Sequence, residues 1–216
     1  MYKEYAIYDV AINEIELKNT IIEAVKLNID GISVLPMAVK AAKTYIGNNF
    51  VLSCPIDYPM GLMDLKSRTH MVEQTIKAGA NTIDLVVPSF WLCNRKYDKF
   101  REDIKTMLAI CSNSCVKLRY FLEYRVYSHE LLYKISQILA DLGVTEAFPS
   151  SGYLLDNIYD NLLAIALINK KVSTINIICN GNIWHTDQCD MLKKANLYGL
   201  RVSTLHSLKL LKDHNF

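Results

Sequence analysis

Eight short β-branched or aromatic runs alternate with amphipathic stretches along these 216 residues. That alternation constrains the fold more than any other feature. The runs predict strands over 5–12, 31–35, 50–58, 82–87, 118–124, 146–149, 175–180 and 200–204. Between them, helical periodicity predicts helices over 19–28, 36–46, 64–78, 98–112, 129–142, 157–170 and 186–197. Leu131, Ile135, Ile138 and Leu139, for instance, share one helical face. Asp98 and Ser128 suit N-caps, Pro36 suits a first turn, and Gly47, Gly79, Gly143 and Gly199 follow expected helix ends.

Strands written as continuous apolar runs suit a parallel sheet covered by helices on its faces. Eight βα units most naturally close into an α/β (β/α)8 TIM barrel, and 216 residues is compact for one. The rival is a doubly wound open sheet. It lacks its Gly-rich fingerprint, because Ile12-Asn13-Glu14-Ile15 follows the first run. No linker interrupts the chain, so residues 1–216 are expected to form a single domain.

Composition removes several function classes. The chain has 24 basic and 22 acidic residues, a net charge of +2, too balanced for a nucleic-acid or anionic-lipid footprint. Neither an 18-residue apolar stretch nor a signal-peptide pattern is present, so a soluble, cytoplasmic protein is expected. Six cysteines form no CxxC pair and five histidines form no HxH or HExxH spacing, so neither a metal nor another cofactor is expected. Thirteen tyrosines are scattered over helix and strand positions, which suits packing better than carbohydrate stacking.

The predicted strand ends carry a collinear set of motifs. Asp57-Tyr58-Pro59-Met60-Gly61 resembles the "GFPxG" of deoxyribose-phosphate aldolases, and Gly79-Ala80-Asn81-Thr82-Ile83-Asp84-Leu85-Val86 resembles their "GADEIDMV". Tyr97-Asp98 with Asp103-Ile104 is similar to "YD…DI", and Leu122-Glu123 to "LE". Ser150-Ser151-Gly152-Tyr153 is similar to "STGF", Val34-Leu35-Pro36 to "VNP", and Gly181-Asn182-Ile183 to "GGI". The resemblance covers nearly the whole chain. It implies a (β/α)8 barrel, a homodimer, and cleavage of deoxyribose 5-phosphate through a lysine Schiff base.

The departures bear on that chemistry. The family's Schiff-base lysine, in "VKTSTG", corresponds to Phe148, and its second lysine, in "VKASGGI", corresponds to Ile178. A Schiff base needs a primary amine held near neutrality by burial or a neighbouring cation. Neither side chain is an amine, and no lysine falls inside the eight predicted runs. A displaced loop lysine such as Lys66, after Gly61, is the remaining route to an amine, but a loop lysine is more often a solvated charge.

Three carboxylates remain as candidate acid–base groups. Asp84 matches the family's fourth-strand carboxylate; strand parity sets it opposite Ile83 and Leu85, with Arg119 as a candidate partner in a site or a purely structural pair. Asp9 matches the Asp of "DHT", although Val10 and Ala11 follow it. Asp57 either adds a lumen charge or caps its loop. Glu123 reads as a rim ion pair as readily as a catalytic acid, and Cys179 as a buried thiol in preference to a nucleophile.

For substrate binding, the resemblance implies backbone amides after strands six, seven and eight. The corresponding residues are Ser150, Ser151, Gly152, Asn180, Gly181, Asn182 and Thr204, with Arg119 added from the fifth strand. Asn182 replaces a glycine, which narrows any phosphate cradle. The first reading is an enzyme acting on a small sugar phosphate or carbonyl compound with altered lyase or acid–base chemistry; the alternative is a non-catalytic paralogue that binds a metabolite or partner through the same pocket. Parental activity through a relocated lysine is third.

Overall fold

The computed structural model describes residues 1–47, 49–154 and 157–216. Eight parallel strands close in chain order: β1 Tyr2–Ile7, β2 Gly31–Val34, β3 Val51–Ile56, β4 Thr82–Val86, β5 Lys117–Phe121, β6 Glu146–Phe148, β7 Asn176–Asn180 and β8 Gly199–Val202. β8 pairs with β1, Tyr2 opposite Gly199 and Glu4 opposite Arg201. The expected TIM barrel is therefore the observed fold, and the open sheet is not.

The helices are α1 Glu14–Val25, α2 Val39–Tyr45, α3 Leu65–Ala78, α4 Ser89–Cys93, α5 Tyr97–Asn113, α6 His129–Asp141, α7 Ile158–Asn169, α8 Thr186–Ala195 and α9 Leu205–Asp213. Their apolar stripes close over the outer faces of the strands. Ile83, Leu85, Leu118, Tyr120, Ala147, Ile177 and Cys179 belong to this belt, together with Leu132, Ile135 and Leu139 from α6. Cys179 is thus a buried thiol.

Local chemistry explains where the boundaries depart from expectation. β1 ends at Ile7 rather than residue 12, because Asn13 and Glu16 form a reciprocal capping box that starts α1 at Glu14 instead of 19. Asp9 consequently lies in the β1–α1 loop and not on a strand. The 36–46 segment divides into a 3-10 turn, Pro36–Ala38, and α2. Asp98 sits in the first turn of α5 and does not cap it; Lys96 holds the cap position without a side-chain bond. Gly199 opens β8, whereas Asn196 in the left-handed region ends α8. Ser128 and Gly79 cap α6 and α3 as expected. Lys3 and Lys117 do fall within β1 and β5, near the strands' N-terminal ends and remote from the barrel mouth.

The β3–α3 loop is tied down at the mouth. Gly61 has φ +63°, and a Cβ there would approach the Val87 carbonyl oxygen to 2.2 Å, so only glycine fits. Asp57, itself at φ +58°, accepts from the Leu62 and Met63 amides at 3.0 and 3.1 Å. Its carboxylate also pairs with fully buried Arg68 at 2.7 Å. Arg68 continues to the Val86 carbonyl at 2.9 Å and to Asp103 at 3.1 Å. Burial pushes Asp103 above the usual carboxylate range, and Arg68 only partly opposes that shift.

Candidate active site

Strand parity sends Glu4, Asp84, Arg119 and Arg201 inward from β1, β4, β5 and β8, and all four are at most 1% exposed. Arg119 grips Asp84 through Nε at 2.6 Å and Nη2 at 3.1 Å. The same Nη2 reaches Glu4 at 3.0 Å. Arg201 donates to Glu4 from Nη2 at 3.0 Å, and it also contacts Asp84. Two guanidiniums and two carboxylates thus neutralise each other in the middle of the lumen. The expected Asp84–Arg119 pair is present as half of a four-membered network.

Burial would raise the Glu4 carboxyl, but Arg119 and Arg201 overcome it and hold it at about 2. Both arginines lose solvation, yet the facing carboxylates push them further above their ordinary range. Ser53 donates to Glu4, and Tyr2 and Tyr8 receive the outer guanidinium N–H groups at 3.4 and 3.1 Å. Burial carries the phenols of Tyr2 and Tyr8 well above their ordinary range.

A cluster of tilted aromatic rings adjoins this network. The Phe148 ring lies 3.9 Å from the Arg201 guanidinium carbon and 4.9 Å from that of Arg119. Desolvated cation–π contacts of this kind contribute about 1–2 kcal/mol each. Phe148 then meets Phe121 in a tilted ring contact at 4.9 Å, Phe121 meets Tyr58 at 6.2 Å, and Tyr58 meets Tyr8 at 5.3 Å. Val86 and Ile178 complete this inner apolar cluster, each fully buried. Among the described residues every lysine is at least partly exposed, Lys66 included.

The loops after β6, β7 and β8 bring together most of the expected substrate-binding residues, but several of their polar groups are already engaged. The Ser151 amide donates to the buried Glu123 carboxylate at 2.6 Å. The Ser203 amide donates to the Asn182 side chain at 2.7 Å, and Asn182 Nδ2 returns to Ser203 Oγ at 2.9 Å. Asn180 Nδ2 donates to the Ser150 carbonyl at 3.0 Å. Gly152 (φ +83°) packs beside Asn180, and Gly181 donates to the Arg201 carbonyl at 3.0 Å. Thr204 caps α9 by accepting from the Ser207 amide at 3.2 Å. Glu123, read from the sequence as a rim ion pair as readily as a catalytic acid, is buried in this loop cluster.

The three candidate acids do not converge. Asp84 lies in the lumen network, and Asp57 holds its own loop and Arg68. Asp9 is exposed, accepts from the Ala11 amide at 2.9 Å, and borders a cavity of about 940 Å³ beside α1 and α2. Sequence reasoning missed Glu4, Arg201 and Tyr8. The signal was present for Arg201, a charge between Leu200 and Val202 in a strand whose apolar neighbours point the other way. Among the described residues no group of three or more His, Cys, Asp or Glu is arranged to hold a metal ion. No described helix is long and apolar enough to cross a membrane.

No family model matches the chain. A deoxyribose-phosphate aldolase from Mannheimia succiniciproducens is 26% identical over 167 residues, 76% of this chain and 73% of that protein. Deoxyribose-phosphate aldolase 1 from Staphylococcus aureus is 25% identical over 139 residues, 64% of this chain and 62% of its own length. The matched segment thus spans less than two thirds of the staphylococcal protein. Among solved structures, an aldolase designated QR15 superposes with a TM-score of 0.88 at 21% identity, covering 99% of this chain and 96% of that one. In sequence the chain is similar to deoxyribose-phosphate aldolases, and in fold it is the (β/α)8 barrel of a solved aldolase.

Proposed function

We propose that this aldolase-like barrel binds a metabolite or protein partner at its C-terminal face and does not cleave carbon–carbon bonds through a Schiff base. The observation that carries this reading is the Phe148 ring, held against Arg119 and Arg201. By the resemblance, Phe148 and Ile178 stand where the family's two lysines are, and neither is an amine. Nor is Asp84 suited to replace them. It is fully buried, with both carboxylate oxygens engaged by guanidiniums, so it cannot approach a substrate proton without dismantling the network.

A binding role is supported by the mouth's rim. Val10, Met37, Met60, Leu62, Phe90 and Trp184 are exposed on or beside five different connections between strand and helix. Exposed apolar side chains gathered at one end of a barrel suit an interaction face. The engaged amides of Ser151 and Ser203 argue against a phosphate seated in the family's position.

The test measures acetaldehyde release from deoxyribose 5-phosphate alongside the protein's melting temperature. No turnover, with melting raised by a bound metabolite, is the expected result. Turnover above background that disappears in Asp84→Asn would overturn the reading in favour of acid–base catalysis.

A further inference from the structure

Outside the barrel mouth, a cavity of about 750 Å³ lies among α4, α5 and α6, reaching residues just beyond α7. Its volume is in the range of small-molecule sites. Arg95, Lys134 and Lys171 line it, against a single carboxylate, Glu130. Three cations against one anion leave this cavity with the same net charge, +2, as the entire chain. Elsewhere the charges therefore cancel.

The three cations make no side-chain ion pair or hydrogen bond among the described residues. Lys134 does not pair with Glu130 one turn earlier but extends over the Tyr97 ring, 5.7 Å from its centroid. Arg95 takes a left-handed backbone conformation, φ +54°, just past α4, where Gly or Asn is the usual choice. Two more features favour negative charge. The first turn of α6, with its Ser128 cap, lines the cavity with the positive end of a helix dipole. Tyr97 and Tyr133 supply aromatic faces and hydroxyl donors.

We infer that this cavity is a binding site for a small polyanion, a phosphate-bearing metabolite with at least two negative charges. Its residues are separate from the mouth, so it stands whether or not the binding role assigned to that face is correct. The cavity's size selects a free small molecule over a polymer, whose phosphates need an extended basic surface instead.

The experiment is calorimetric titration of the full chain with inorganic pyrophosphate, in low and in high salt. Saturable one-to-one binding is expected, weaker at high salt. The triple variant Arg95→Gln/Lys134→Gln/Lys171→Gln should bind about tenfold more weakly or worse while melting normally. Arg95→Gln alone should give a smaller loss of the same sign, and it serves if the triple variant misfolds. Asn182→Asp sets a carboxylate among the mouth loops and should leave binding unchanged. Absence of saturable binding, unchanged binding in the charge variants, loss of binding in Asn182→Asp, or preference for a duplex oligonucleotide over pyrophosphate would each overturn the site.

Discussion

The lumen and the side cavity each concentrate charge, yet they treat it in opposite ways. In the lumen, Glu4, Asp84, Arg119 and Arg201 are dry and mutually neutralised. Around the cavity, Arg95, Lys134 and Lys171 are solvated and face one carboxylate. Buried charges must be paired because desolvation is costly, so removing one member of the lumen network would leave an uncompensated buried charge. Solvated charges carry no such demand and remain free to meet a ligand. Charge at the centre of this barrel is therefore committed to its own pairing, whereas the cations of the side cavity are the ones proposed to meet a ligand.

The largest effect should come from breaking the lumen network on one side. Arg201→Met leaves Glu4 and Asp84 short of cations in a closed core, and denaturant unfolding should register a loss of about 3–5 kcal/mol. Phe148→Lys is a sharper probe, because it adds a third cation beside two guanidiniums. It should destabilise by at least about 2 kcal/mol and yield no cleavage of deoxyribose 5-phosphate.

Acidification attacks the same network without mutation. Glu4 titrates at about 2 in the fold, below its unfolded value of about 4.3. Its contribution is therefore complete above about pH 4.3 and is lost as pH falls toward 2. Unfolding free energy followed over that window should fall more gently in Glu4→Gln than in the parent. The cavity variants mark the other extreme. Arg95→Gln/Lys134→Gln/Lys171→Gln should change unfolding free energy by less than about 0.5 kcal/mol per site, since exposed unpaired charges support little.

How much of this was legible depended on the range of the interactions. The eight strand runs and the faces of α3, α5 and α6 followed from local periodicity, because burial repeats with the geometry of each element. The Asp84–Arg119 pair also followed, since parity and neighbouring strands suffice to set it. The capping box of Asn13 and Glu16 was written in the sequence, but the apolar run around Tyr5 and Ile12 obscured it, which displaced β1 and put Asp9 on a strand. Arg201 and Glu4 were harder. They are 197 residues apart, and only closure of the barrel joins β8 to β1. The engagement of the Ser203 amide by Asn182 depends likewise on two loops meeting. The side cavity is further still from sequence, because it depends on how four helices diverge.

The central claim is that this aldolase-like barrel has lost its Schiff-base route. Intact-protein mass spectrometry after incubation with deoxyribose 5-phosphate and borohydride tests it most directly. Unmodified protein mass is the predicted result. A reduced covalent adduct mapped to any lysine, Lys66 above all, would contradict it.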